Sequence, residues 1–121
     1  MVNELNGFYA GFMSGAAGQG VAVFIFKEGI IVGADFSGAK FDGTVIQKGK
    51  SSVYDCVVKV SLPPNGQTIQ GVETGPSGIN YEAVFELAAD FASKPFFFIE
   101  TPLGGVNIRL EKVRDLGAAN V

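Results

Sequence analysis

The chain has no histidine, no tryptophan and one cysteine in 121 residues. Without histidine there is no Ser–His or Cys–His nucleophile pair and no imidazole for acid–base work. A lone cysteine cannot build a zinc site, and no metal or other cofactor is expected. It also excludes an internal disulfide and suits a reducing compartment. Charge is scarce too: charged residues make up 17%, below the usual quarter. Nine basic residues face twelve acidic ones, for a net charge of −3, and no basic run exceeds Lys48 and Lys50. A nucleic-acid-binding domain carries a basic patch and a high pI, so direct DNA or RNA binding is not expected. No apolar run approaches the ~20 residues of a membrane helix. The segment Met1-Val2-Asn3-Glu4-Leu5-Asn6 lacks the basic and apolar regions of a signal peptide, so the cytoplasm is the expected location and no membrane partner is expected.

What the chain does have is short apolar segments punctuated by glycine. Gly7-Phe8-Tyr9-Ala10-Gly11-Phe12, Gly20–Phe26, Gly29–Phe36 and Phe41–Ile46 follow one another with little between them. Turns this short force antiparallel neighbours. Alternation then sorts the faces. Ile30, Val32, Ala34 and Phe36 read as one apolar face of their strand. Tyr54, Cys56, Val58, Val60 and Leu62 read as an inward face, and so do Val106, Ile108 and Leu110. Tyr81 to Leu87 alternates as a strand, although Val84, Leu87, Ala88 and Phe91 also make a helical stripe. Turn signals sit at Lys27-Glu28-Gly29, Gln47-Lys48-Gly49-Lys50 and Pro102-Leu103-Gly104-Gly105. The expectation is an all-β, mostly antiparallel up-and-down barrel of about eight strands with at most one short helix. Residues 1–121 form one domain, since composition never shifts. For this mass, size scaling buries about two-thirds of the unfolded surface, enough for an ordinary core. An eight-stranded barrel has an interior that side chains fill or that holds one small ligand.

The stretch from Pro63 to Asn80 breaks the pattern. It is long for a connection in a compact domain and reads either as a crossover over a barrel end or as a lid or partner-binding loop.

Candidate chemistry is thin. The carboxylate pairs Asp35 with Asp42 and Glu82 with Glu86 lie on alternating strands, where such acids face solvent. The loop Gly15-Ala16-Ala17-Gly18-Gln19-Gly20 lacks the Lys-Ser/Thr ending of a phosphate-binding loop and leads into a strand, not a helix. Cys56 sits on an apolar face with no basic neighbour, as a small core residue does. No enzymatic activity is expected.

The eleven phenylalanines carry more information. Phe8, Phe12, Phe36, Phe85 and Phe98 fit inward positions on separate strands and are the candidate barrel interior. Phe24 and Phe26 share a strand with Val21, Val23 and Ile25, so both its faces are apolar, and Phe96-Phe97-Phe98-Ile99 repeats this. The second face of each strand must meet something besides water: the long loop, or a second copy of the chain. Val21, Val23, Ile25, Phe97 and Ile99 are the candidate dimer or partner surface, with a homodimer favoured because two separate strands show the excess.

Asn6-Gly7-Phe8-Tyr9, Gly20-Val21-Ala22-Val23 after a glycine loop, Gly29-Ile30-Ile31-Val32-Gly33-Ala34-Asp35 and Phe41-Asp42-Gly43 resemble the GrlR-type family. These are small bacterial proteins with a lipocalin-like barrel, named for negative regulators of type III secretion genes. The match lies in the spacing from Gly7 to Gly43. The resemblance implies a lipocalin-like fold, dimerisation, and repression by binding a transcriptional activator as protein partner. The clustered acidic stretch associated with partner binding in such regulators is missing here, so no partner-binding residue carries over. Two functions follow: a cytoplasmic regulator acting by protein–protein contact, and a lipocalin-like carrier of a small apolar ligand held in the barrel. Phenylalanines turned inward argue for a filled barrel, while Gly11, Gly33 and Ala34 leave some room.

Overall fold

The computed structural model describes residues 2–49 and 52–116. Strands β1 (Gly7–Ser14), β2 (Gln19–Lys27), β3 (Ile30–Asp35), β4 (Lys40–Gln47), β5 (Val53–Leu62) and β6 (Ile79–Ala88) form a meander, and β7 (Phe97–Thr101) and β8 (Gly104–Arg114) a final hairpin. Every pairing is antiparallel. Because β8 pairs with β1, the eight strands run in the order β6-β5-β4-β3-β2-β1-β8-β7 and curl into a nearly closed barrel. The break lies between β6 and β7, which meet without a ladder. The expected all-β up-and-down barrel is the fold of this chain. No α-helix occurs among the described residues, only 3₁₀ turns at Val2–Leu5 and Phe91–Ser93.

Local chemistry accounts for the tight turns. The β2–β3 hairpin closes through Glu28 and Gly29, both with positive φ (51° and 81°). That is the two-residue geometry whose twist matches the flanking strands. Asn6 Oδ1 accepts a 2.9 Å bond from the Glu28 amide and ties the N-terminal segment to this turn. Of the Gln47–Lys50 turn signal, Lys50 lies outside the described residues, and Gln47 to Gly49 follow β4 as expected.

One end of the barrel is plugged. Leu5 and Phe91, delivered by the two 3₁₀ turns, are buried with Tyr9, Phe26, Tyr54 and Leu87. The Tyr9 ring lies 4.9 Å from Phe26 and 5.8 Å from Phe91, and Phe97 meets Phe91 edge-on at 6.4 Å. The Tyr9 hydroxyl donates a 2.8 Å bond to the Leu5 carbonyl, so this buried cluster carries its polar atom satisfied.

The alternation in β5, β6 and β8 places side chains as expected. Tyr54, Cys56, Val58, Val60, Ala83, Leu87, Val106 and Leu110 are buried, and Phe85 turns inward among them. Elsewhere the faces differ from expectation. In β3 it is Ile31 that is buried, while Ile30, Val32 and Ala34 face out. Phe36 lies beyond the strand and is 98% exposed. Asp35 causes this: its Oδ1 accepts bonds from the Ser37 amide, the Ser37 hydroxyl and the Ala39 amide. Such an Asp-centred turn reverses the chain locally and throws Phe36 into solvent.

Phe8 and Phe12 are likewise outside. They stand opposite Ile25 and Val21 in the β1–β2 ladder, and directly opposed residues share a face. The inward positions of β1 go to Tyr9 and Gly11, because the Phe24 ring needs the space over Gly11: a Cβ there would sit 2.5 Å from Phe24 Cε2. At β7 the outward residues are Phe98 and, just before the strand, Phe96, each 57% exposed, while Ile99 is buried and Phe97 packs against the core. The β8 register decides this, since Phe97 opposes Ile108 and Ile99 opposes Val106, both on the inward face. Phe98 lays its ring over Gly105 on the outside of the sheet.

Candidate functional site

Two features stand out: an apolar outer face and an apolar cavity. The outer face spans β1, β2 and β3. Across one row the neighbours are Phe8, Ile25 and Val32, across the next Ala10, Val23 and Ala34, and a third pair is Phe12 and Val21. Ile30 extends the face beside Lys27. Val21, Val23, Ile25, Ile30 and Val32 are 38–49% exposed, and no polar side chain interrupts the three rows. The rows end in charge on both sides. Arg114, Glu111 and Arg109 of β8 flank Phe8, Ala10 and Phe12, while Asp42 and Lys40 of β4 flank Val32 and Ala34. A contiguous apolar patch rimmed by polar residues marks an interaction surface, and this one leaves on the order of 500 Å² of apolar surface in water, at the upper end for monomers. The expected surface residues Val21, Val23 and Ile25 lie on it. Phe97 and Ile99 do not: they point into the barrel.

The cavity lies at the end opposite the plug. It measures about 170 Å³. Phe26, Leu87 and Phe97 form its floor, and Phe24, Ile31, Val58, Phe85, Ile99 and Leu110 are among its walls. Of the expected interior residues only Phe85 lines it. Gly11 and Gly33 do not supply the room, because the Phe24 ring occupies the space beside both. Ala34 faces outward.

Residues 63–78 roof the cavity. This connection folds as a small pin with an isolated bridge between Gln67 and Glu73. The Asn65 amide bonds to Gly75 carbonyl, Thr68 amide to Val72 carbonyl, and Thr74 is buried with its hydroxyl exchanging bonds with Gly66. Asn65 takes the left-handed region at φ 62°. The tip, Ile69 and Gln70, dips over the barrel mouth. Ile69 accepts a 2.8 Å bond from the Ala17 amide, and its backbone approaches Gly15 so closely that a Cβ there would lie 2.5 Å from the carbonyl oxygen. The glycine loop between β1 and β2 is thus a seat for the roof. On the other side Gln70 Nε2 donates a 3.2 Å bond to Thr101 Oγ1, and the Tyr81 side chain hydrogen-bonds both Gln70 and Thr101. Tyr81 is on β6 and Thr101 on β7, so this trio bridges the unladdered seam as it pins the roof.

The long connection is the expected crossover over a barrel end, and it passes above the cavity. What the sequence did not signal is that Ile69 and Gln70, in the middle of a polar stretch, form the contact. Their signal was only an isoleucine isolated between turn residues.

The cavity is electrically quiet. Burial, and secondarily the nearby Asp55 charge, push the Cys56 thiol up to about 12, so it stays protonated. Burial raises the Tyr81 phenol as well, against its two side-chain hydrogen bonds. Asp35 at the mouth spends its carboxylate on its own turn. Asp42 and Glu82 face solvent outside the barrel, and Glu86 pairs with Lys48 across 3.0 Å there. No cluster of three or more Cys, Asp or Glu able to hold a metal occurs among the described residues.

Fold and sites together define the class: a small antiparallel β-barrel, plugged at one end, with a roofed apolar cavity and an apolar outer face. Beyond that class, no family model, curated protein or solved structure matches the chain.

Proposed function

We propose that this protein is a regulatory binding protein that acts by protein–protein contact through the outer face of β1, β2 and β3, and that its first partner there is a second copy of itself. The observation that carries this is the three uninterrupted apolar rows between charged rims. Pairing two such faces would bury on the order of 1,000 Å², the threshold for a specific interface. A twofold axis along the strands sets the β8 rim of one copy, with Arg109 and Arg114, against the β4 rim of the other, with Asp42, so the rims are self-complementary in charge. The resemblance to GrlR-type regulators supports the further step, in which the assembled protein sequesters a transcriptional activator in the cytoplasm without touching DNA. The net charge of −3 agrees with that.

Sedimentation velocity tests the reading. The natural protein should run as a dimer at micromolar concentration. Val23→Glu, in the centre of the face, should weaken the dimer at least 100-fold with an unchanged circular dichroism spectrum. Val84→Glu, on the outside of β6, should leave it intact. A natural protein that stays monomeric at ~100 μM would sink the proposal.

A further inference from the structure

We propose that the roofed cavity is a binding site for one neutral, apolar molecule of about a single aromatic ring, admitted by movement of the Ile69–Gln70 tip. The inference does not depend on the outer face. It rests first on size: about 170 Å³ matches the ~150 Å³ apolar cavity that stays dry and takes up benzene. A long acyl chain does not fit in that volume.

It rests second on the lining. Phe24, Ile31, Val58, Phe85, Ile99 and Leu110 line its depth with carbon, while the polar side chains of Asp35, Ser37, Thr68, Gln70, Tyr81 and Thr101 stand at the roofed mouth. Among the described residues no buried side-chain nitrogen or oxygen lacks a hydrogen-bond partner. No fully buried polar atom is therefore waiting for a ligand group, and among the described residues no cationic side chain lines the cavity to receive a carboxylate, while Asp35 at the mouth would repel one. Burying an unpaired carboxylate there would be prohibitive, so the site discriminates against fatty acids by charge as well as by length.

The third support is the construction of the roof. Its tip is held by a few polar contacts, Ala17 to Ile69 on one side and Gln70 to Thr101 and Tyr81 on the other. Its stem is braced independently by Thr74 and the Gln67–Glu73 bridge. A tip that can let go while the stem holds is how a small barrel admits a ligand without unfolding.

Titration of the full chain with benzene, indole and octanoate, followed by methyl resonances in a ¹H–¹³C spectrum, decides the matter. Benzene and indole should shift the methyls of Ile31, Val58, Ile99 and Leu110 saturably and leave those of Val21, Val23 and Val32 on the outer face unmoved. Octanoate should shift none of them. Ala83→Phe, which puts a ring into the cavity from β6, should abolish the benzene response and raise the thermal midpoint. If that variant does not fold, Gln70→Ala serves instead: it should keep the benzene response while speeding exchange between free and bound signals at least 5-fold. No saturable shift of the interior methyls with benzene or indole would overturn the proposal, as would octanoate binding equal to theirs.

Discussion

The Arg109 guanidinium lies over the Phe12 ring, with Cζ 4.4 Å from the ring centroid. Arg109 also holds Glu111 at 2.7 Å. The arginine covers an outward phenylalanine with its flat face while its edge stays in water. It is the border of the apolar face, and it shows how the barrel limits that face on the β8 side.

Removing this border has a modest cost. Both charged partners are largely exposed, so the ion pair adds little, and the stacking contributes about 0.5–1 kcal/mol at an exposed site. Arg109→Ala should lower unfolding stability by about that amount in urea titration, and Arg109→Lys should recover only part, because an ammonium cannot lie flat on the ring.

Gly33 is more demanding. A Cβ at this position would stand 2.5 Å from Phe24 Cδ1 and 2.8 Å from Cε1. Gly33→Ala should cost about 1–3 kcal/mol, the usual range for overpacking a filled core. Combining it with Phe24→Leu should cost less than the sum of the two single changes, since the leucine withdraws the colliding ring. Chemical denaturation of the four proteins checks this.

Cys56 should be silent toward alkylation in the folded protein. It is 0% exposed, and burial first, then Asp55, hold the thiol up at about 12. The thiolate is the reacting form, so iodoacetamide at pH 8 should modify the folded chain at least 100-fold more slowly than the chain in denaturant. Mass spectrometry follows the addition.

The tyrosines set an alkaline limit. Burial and then the Asp115 charge raise the Tyr9 phenol from 10.0 to about 12, and Tyr54 and Tyr81 are raised too, mainly by burial. A raised phenol keeps its proton longer in the folded chain than in the unfolded one. Its stabilisation is therefore complete below pH 10 and is lost as pH climbs toward 12. Tyr9→Phe should flatten this decline, while lowering stability at pH 7 by about 1–2 kcal/mol because the buried Leu5 carbonyl loses its donor. Thermal midpoints between pH 8 and 12 test both halves.

The strands whose outer face is polar were legible in the sequence. In β5, Asp55, Lys59 and Ser61 identify the wet side, so Tyr54, Cys56, Val58 and Val60 could be placed inside from alternation alone. Asn107, Arg109 and Glu111 do the same for β8, and Glu82 and Glu86 for β6. Where both faces are apolar, alternation carries no sign. Ile30 and Ile31, or Phe98 and Ile99, are equivalent to a periodicity argument, and only the register against a neighbouring strand chooses between them. Volume misled as well: Phe8 and Phe12 are larger than Tyr9 and Gly11 taken together, yet β1 turns the smaller pair inward because Phe24 from β2 already fills that space. The apolar outer face was foreseen in β2 alone, since which side of β1 and of β3 turns outward is set by their registers against β2 and not by their own sequences. The roof followed from length, but its seat on Gly15 and its latch to Thr101 did not.

The β1–β8 ladder also governs the order of events as the chain emerges during synthesis. β1 is made early and β8 late, yet they are hydrogen-bonded neighbours. Hairpins from β1 through β6 can form as they appear, but the free edge of β1 stays unsatisfied until the last hairpin arrives. Closure is a long-range step that local pairing cannot hasten. A ribosome-bound intermediate lacking β7 and β8 would present that edge beside the apolar outer face, and both stay exposed together until β8 is released.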